Sequence, residues 1–346
     1  MVRDGVAIRR RMRTWDLEER QGTIEPLNVY PPAFKNEFAT GQTKSKHVRG
    51  KFAVHPSKLG ADSTRSRLRV HNTSYTKDGK RIGPRVVFVR YPKLVAPSRT
   101  RYMSQLLERV RWAERHCSSD PKIARQQALA KSMDSRRKCK KSKGARHLGF
   151  WRHRRKRPCV TAQYRCLRPK VMGAVDRFLK YTRRHVLDPL SHVIEMEHPE
   201  IVETMTKVCC YLLSHEHVRK AMRKRPALNF GRLFTTMALS EGGSQRNHVG
   251  WLDDPNLLAW VIPLGNFGQS YTCFPQLGKK YALRAGDACG MASRHLSHRA
   301  ELLGVGHRDV ITMFTHRSLV KAAEDWWESR SEVQRALAVE LMVKFD

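Results

Sequence analysis

Two histidines, an arginine and a pair of aspartates are the residues of this sequence whose types and spacing could do chemistry together. His248 stands in the run Asn247-His-Val-Gly-Trp-Leu-Asp-Asp254, just after a β-like stretch, and His298 follows 50 residues later. Arg308 lies ten residues beyond His298 and leads into a further β-like run, Val310–Thr315. Neutral imidazoles gathered on one face hold a divalent metal of the iron type, provided a carboxylate joins them and positions stay open for a co-substrate and oxygen. Such a site also needs a cation for the far carboxylate of its co-substrate. Taken singly, each residue has a plainer reading: a loop histidine, a satisfied core histidine, a surface ion pair. Only the set makes the sharper one worth testing.

Ligands dozens of residues apart come together when they sit on separate strands of a rolled sheet, and the sequence around them has that texture. After Pro226, short β-like runs are separated by Gly, Asn, Asp and Pro: Leu233–Leu239, Leu257–Pro263, Ser270–Phe274, Lys280–Leu283 and Asp309–Thr315. Their spacing is typical of a sandwich or barrel. A final helix is expected over roughly Leu319–Lys344. Before Pro226 the pattern differs. Arg85–Tyr91 reads as a strand entered through Gly83-Pro84, and Tyr102–Arg115 as a helix with Leu106, Leu107, Val110 and Ala113 on its apolar face. Val171–Leu190 and Pro199–Arg223 read as two more helices, the first ending at Asp188-Pro189. The expected division is a loop-rich basic region at 1–100, a basic helical region at 101–225, the roll at 226–316 and a C-terminal helix at 317–346.

Charge separates the two parts sharply. The chain of 346 residues has 67 Lys/Arg against 31 Asp/Glu, a net of +36, but only 13 and 12 of these lie from Pro226 onward. The residues before Pro226 therefore carry a net of +35. That asymmetry points to a polyanion, DNA or RNA, because each neutralised phosphate releases condensed counterions. A solvated basic tail is the plainer alternative. Two clusters are candidates for phosphate contact or nuclear import: Arg136, Arg137, Lys138, Lys140 and Lys141, then Arg152, Arg154, Arg155, Lys156 and Arg157. Phe150, Trp151 and Tyr164 interleave with them and either stack on bases or anchor the core.

No stretch approaches the ~18 apolar residues of a membrane span, so no membrane partner is expected. Eight scattered cysteines make no disulfide framework, which implies reduced thiols and a nuclear or cytosolic setting. Met1–Trp15 is Arg-rich like a mitochondrial presequence, but Asp4 and the acidic residues at 16–19 argue against one. Cys139, Cys159, Cys166, His147 and His153 lack any Cys-x-x-Cys pair and match no zinc-finger spacing.

Over about 90 residues the pattern becomes specific: His248-x-x-x-x-Asp-Asp, Ala259-Trp-Val-Ile-Pro-Leu-Gly-Asn-Phe267, Phe274-Pro-x-Leu-Gly278, Leu283-Arg-Ala-Gly-Asp287, His298, then Arg308 through Phe314-Thr-His-Arg-Ser318. It resembles the fungal branch of the Fe(II)/2-oxoglutarate-dependent dioxygenases, relatives of the ten-eleven-translocation and base-J-binding proteins, many of them transposon-associated. The resemblance implies an α+β fold with a C-terminal double-stranded β-helix (a jelly roll) preceded by basic helices. It also implies Fe(II) and 2-oxoglutarate as cofactors, with His248 and His298 as iron ligands and Arg308 paired with the 2-oxoglutarate carboxylate. In that family oxidation falls on the methyl of a 5-methylpyrimidine, usually flipped out of the helix.

The family pattern begins His-x-Asp, with the aspartate as third ligand, and here Gly250 stands in its place. On an extended segment residues i and i+2 point the same way, so Gly250 leaves a hole in the set. Three outcomes follow: loss of the metal chemistry, replacement by Asp253 or Asp254 from a loop curling back, or a two-histidine site completed by water or an anion. Two functions differ at Gly250, an enzyme oxidising modified pyrimidines in DNA or RNA and a non-catalytic nucleic-acid-binding protein on the same roll; a third reading, a protein hydroxylase acting on a basic-protein partner, explains the roll but leaves the N-terminal charge unused. As shared ligands, the two imidazoles should lie roughly 3–4.5 Å apart, with Arg308 facing the same cavity. Neither Asp253 nor Asp254 should reach them unless the loop bends sharply inward. Gly250→Asp should meet little steric hindrance if the backbone there is not at positive φ.

Overall fold

Two 16-residue strands, β7 (Ala259–Phe274) and β10 (Arg299–Phe314), run antiparallel along their whole length and organise the molecule. The computed structural model describes residues 59–62, 67–75, 81–117, 143–152, 156–242, 248–250 and 252–345. The two halves of each long strand belong to different layers. The first half of β7 pairs with β9 (Ala288–Met291), and the second half of β10 pairs with β6 (Thr236–Glu241). The second half of β7 pairs instead with β8 (Lys279–Ala282), while the start of β10 adjoins a short bridge between His248 and His298. Two antiparallel layers sharing their long strands make a double-stranded β-helix, and with the helices the fold is α+β.

The passage between layers explains two glycines. Register shifts between Leu303 and Gly306, opposite the Phe267–Gln269 stretch. Gly265 (φ 110°) and Gly306 (φ 132°) take left-handed conformations. A Cβ at Gly265 would press into the His307 carbonyl and one at Gly306 into the Asn266 carbonyl, so side chains are excluded where the strands cross. The Ile-Pro-Leu-Gly-Asn-Phe segment thus runs through the middle of a strand.

The basic half of the chain extends the first layer. β3 (Arg81–Tyr91) pairs with β9, β2 (Leu68–Tyr75) with β3, and β4 (Lys143–Trp151) with β6. β1 (Gly60–Asp62) joins β8 in parallel at the edge of the second layer, and β5 (Cys159–Val160) pairs with the end of β4. Helix α1 (Pro97–Cys117) buries Leu106, Leu107, Val110 and Ala113, the face its periodicity specified. After a single turn, α2 (Ala162–Arg165), helix α3 (Pro169–Thr182) continues through a π-helical turn, Arg183–Leu187, into α4 (Asp188–Glu197). The expected stop at Asp188-Pro189 does not occur, because the wide turn places Pro189 in the first turn of α4, where its missing N–H is harmless. α5 (Pro199–Ser214) and α6 (Glu216–Lys224) divide the next expected helix at His215.

The C-terminal helix is likewise two, α7 (Arg317–Glu328) and α8 (Glu332–Phe345). Ser331 and Gln334 bond reciprocally, Gln334 N–H to Ser331 Oγ at 3.4 Å and Ser331 N–H to Gln334 Oε1 at 3.2 Å, which is a capping box starting a new helix. Phe88, Phe178, Phe230 and Phe274 are wholly or nearly wholly buried in the shared core, each worth about 1.5–3 kcal/mol of apolar burial. Among the described residues no helix is long and apolar enough to cross a membrane.

Candidate functional site

His248 and His298 come together as the bridge that opens the second layer. His248 N–H donates to the His298 carbonyl at 3.0 Å and His298 N–H to the His248 carbonyl at 2.9 Å. Their rings lie 4.3 Å apart between centroids, at 56°. His298 Nδ1 meets the Leu296 carbonyl at 2.9 Å; a carbonyl only accepts, so Nδ1 carries the proton and Nε2 keeps its lone pair. Burial, and secondarily the neighbouring His248 ring, push the His298 pKa down to about 3, so the imidazole is neutral at any ordinary pH.

Arg308 lies on β10 opposite Gly265 of β7 and is 3% exposed. Its Nε has no hydrogen-bond partner, and no carboxylate pairs with the guanidinium among the described residues. Burial lowers its pKa to about 10, and the titratable group acting on it is the thiol of Cys289, itself fully buried and raised to about 12. Arg90, 1% exposed on β3 and opposite Cys289 on β9, brings a second guanidinium to the same interior and donates to the Ala282 carbonyl at 3.3 Å. Neither Arg90 nor Cys289 belongs to a recognisable motif in the sequence. The alternation of Arg85–Tyr91 was a usable signal, since Phe88 and Arg90 fall on one face of that strand.

The acidic candidates lie elsewhere in the loop. Asp254 is buried as a turn-former: its N–H donates to the Thr315 carbonyl at 3.1 Å and its Oδ1 accepts from Asn256 N–H at 2.8 Å. Asp253 N–H closes a tight turn onto the Gly250 carbonyl at 3.0 Å, and its Oδ2 accepts from Ser293 Oγ at 2.5 Å. Burial raises the Asp253 pKa to about 6, with the Ser293 hydrogen bond acting against it. The loop does bend inward, but among the described residues no three His, Cys, Asp or Glu side chains form a group able to hold a metal. The residues present therefore fit the two-imidazole part of an iron site and not a complete two-histidine, one-carboxylate set. The Nε of Arg308, a buried donor with no hydrogen-bond partner, is the group that could take one carboxylate of a dicarboxylate co-substrate. Gly250 is not at positive φ, yet a Cβ there would collide with Asp253 Oδ2 and come within 2.9 Å of both Asp253 Cγ and Ser293 Oγ. The expectation that an aspartate would fit easily is thus corrected: contact, not backbone conformation, stands in the way.

Of the basic candidates, Arg136, Arg137, Lys138, Lys140, Lys141, Arg154 and Arg155 lie outside the described residues. Lys156 and Arg157 are exposed. Arg152 is tied down, donating to the Ser318 carbonyl at 3.0 Å while its own carbonyl accepts from Ser318 Oγ at 2.6 Å. Phe150 and Tyr164 are buried, and the Tyr164 hydroxyl donates to Asp176 at 2.5 Å, so both serve the core and not base stacking.

No protein-family model matches the sequence, and no curated protein matches it. Among solved structures, one described as NgTET1 in complex with 5mC DNA superposes with a TM-score of 0.48 at 13% identity, covering 74% of this chain and 78% of that one. A Pseudomonas putida prolyl-4-hydroxylase gives a TM-score of 0.20 at 18% identity, over 31% of this chain and 64% of that one. An oxidoreductase of the 2OG-Fe(II) oxygenase family from Burkholderia pseudomallei gives 0.20 at 12% identity, over 30% and 60%. At these TM-scores and identities, what those proteins bind or oxidise does not transfer to this chain.

Proposed function

We propose that this chain is a dioxygenase-like, nucleic-acid-binding protein that takes a dicarboxylate of the 2-oxoglutarate class at Arg308. The observation that carries the reading is that Arg308 is buried inside the roll, its Nε without a hydrogen-bond partner and no carboxylate among the described residues paired with it. An uncompensated buried charge costs several kcal/mol, and a carboxylate accepting two parallel N–H bonds is the ligand that relieves it. Calorimetric titration of the full chain with 2-oxoglutarate tests this directly. Saturable binding that Arg308→Gln weakens by about 10–100-fold is expected, and equal binding by both proteins would refute the assignment.

The polyanion arm rests on the net charge of +35 before Pro226 and on the outer face of α1. There Arg101, Arg109 and Arg115 are exposed beside Tyr102 and Trp112, and Trp112 stacks on His116 at 4.3 Å. Cations flanking an exposed aromatic suit a phosphate backbone and a base plane. A nuclear location follows from the same chemistry. Affinity for DNA or RNA should fall steeply with salt, and Arg109→Gln should flatten the log–log slope by about 0.9 if it contacts one phosphate. Salt-independent binding would rule this arm out.

A second reading, oxidation of a 5-methylpyrimidine with Fe(II) held by His248 and His298, is favoured by the neutral His298 ring and its free Nε2. Iron-dependent turnover of 2-oxoglutarate, measured with and without methylated DNA, distinguishes it from binding alone. Its absence leaves the non-catalytic reading standing.

A further inference from the structure

We propose that Gly250 and Asp253 are a matched pair, in which the Asp253 carboxylate takes the space where a side chain at position 250 would begin and closes it to a metal ligand. The extended segment holding them is fixed at both ends. His248 exchanges two backbone bonds with His298, and Gly250 N–H donates to the Ser293 carbonyl at 2.8 Å. Side chains at 248 and 250 of such a segment leave on the same face, the face the metal would occupy. The Gly250–Asp253 turn sends the chain back over that face, and Ser293 Oγ holds the carboxylate there at 2.5 Å. A Cβ on residue 250 would meet that carboxylate closer than real Cβ atoms essentially ever come, and Ser293 Oγ, bonded to the same carboxylate, would lie 2.9 Å from it. Glycine is the residue that leaves this room. The carboxylate of this loop thus stands at position 253 and is held by the Ser293 hydroxyl.

This inference rests on reading the two histidines as a ligand pair, and it makes a prediction opposite to simple repair. Gly250→Asp alone places two carboxylates in one space and should bind metal no better than wild type, with a lowered Tm. Gly250→Asp combined with Asp253→Ala vacates that space and should gain at least tenfold in affinity. Gly250→Asp with Ser293→Ala, which frees Asp253 to swing away, should gain in the same direction and serves if the first double variant fails to fold. The probe is Co(II), titrated into the full chain and followed by its ligand-field absorbance. Binding of 2-oxoglutarate to each variant reports separately on Arg308, so loss of the dioxygenase-like reading is distinguishable from loss of the pairing. A single Gly250→Asp variant that gains as much as the doubles would overturn the proposal. So would wild-type Co(II) affinity equal to that of the doubles, or double variants that gain nothing.

Discussion

The roll has two chemical corners, and they have been treated differently. At Arg308 the long strand β10 carries a guanidinium into an interior it shares with Arg90 and Cys289, and among the described residues no carboxylate pairs with it, the nearby buried Asp287 acting on Arg90 and Cys289 instead. At Gly250 the opposite has happened: a carboxylate is present, but Ser293 holds it over the face from which a third metal ligand would project. The anion corner keeps its donor unspent, whereas the metal corner has consumed its acceptor in a hydrogen bond.

The contrast breaks most readily at Arg308. Charge-assisted hydrogen bonds are worth about 1.5–3 kcal/mol, so Arg308→Gln should weaken 2-oxoglutarate binding by about 10–100-fold. The same substitution removes a buried unpaired cation, and thermal unfolding should show no loss of stability. His298→Ala should leave that affinity within about twofold, since the two corners are independent in this account. A large effect of His298→Ala in calorimetry would merge them into one site.

Next in size is the crossing that both corners share. Gly306 has φ 132°, and a Cβ there would meet the Asn266 carbonyl. Gly306→Ala should cost more than about 1 kcal/mol, lowering Tm by about 2–4 °C or somewhat less in a chain of this size. Scanning calorimetry measures it, and unchanged stability would mean the strands pass between layers without needing glycine.

The smallest expected effect lies in the scaffold and separates it from either corner. Glu197 of α4 accepts from Arg67 at 2.7 Å, from Arg69 at 2.6 Å and from the Tyr91 hydroxyl, joining β2 and β3 to the helices. His198 lies 3.3 Å from the Tyr91 hydroxyl, with Glu200 3.6 Å from its Nδ1. Burial lowers its pKa, against the pull of Glu200 and Glu197. The folded state therefore takes up this proton less readily than the unfolded one. Below its ordinary value of 6.5 the unfolded chain binds more protons, and stability falls as pH drops through that point. His198→Gln should make the dependence of Tm on pH shallower between about pH 6.5 and 5, with 2-oxoglutarate affinity at neutral pH unaffected. An identical pH profile in the variant would remove His198 from the explanation.

Much of this arrangement could be read in the sequence, for reasons that differ by residue. The strands of the roll announce themselves because β-rich runs are bounded by Gly, Pro, Asn and Asp, and the histidine pair because its spacing fits strands that close a roll. That β7 and β10 are each continuous was hidden by Gly265 and Gly306, which look like turns but permit two backbones to cross. The capping box at Ser331-x-x-Gln334 was legible and overlooked within a long helical pattern. β2 and β4 lie in strongly basic sequence where charge masks the alternation of a strand. The fate of Asp253 was not legible at all, since it depends on Ser293, 40 residues away and unmarked by any motif.

The most direct test of the two-corner account is a titration of the full-length protein with 2-oxoglutarate, first in the presence of a chelator and then with saturating Co(II). Binding of equal strength in both, and weakened in Arg308→Gln, is the result expected if the anion corner works without the metal corner. Binding that appears only when Co(II) is added would contradict it, because the dicarboxylate would then be held through a metal centre that Gly250 and Asp253 were argued to have closed.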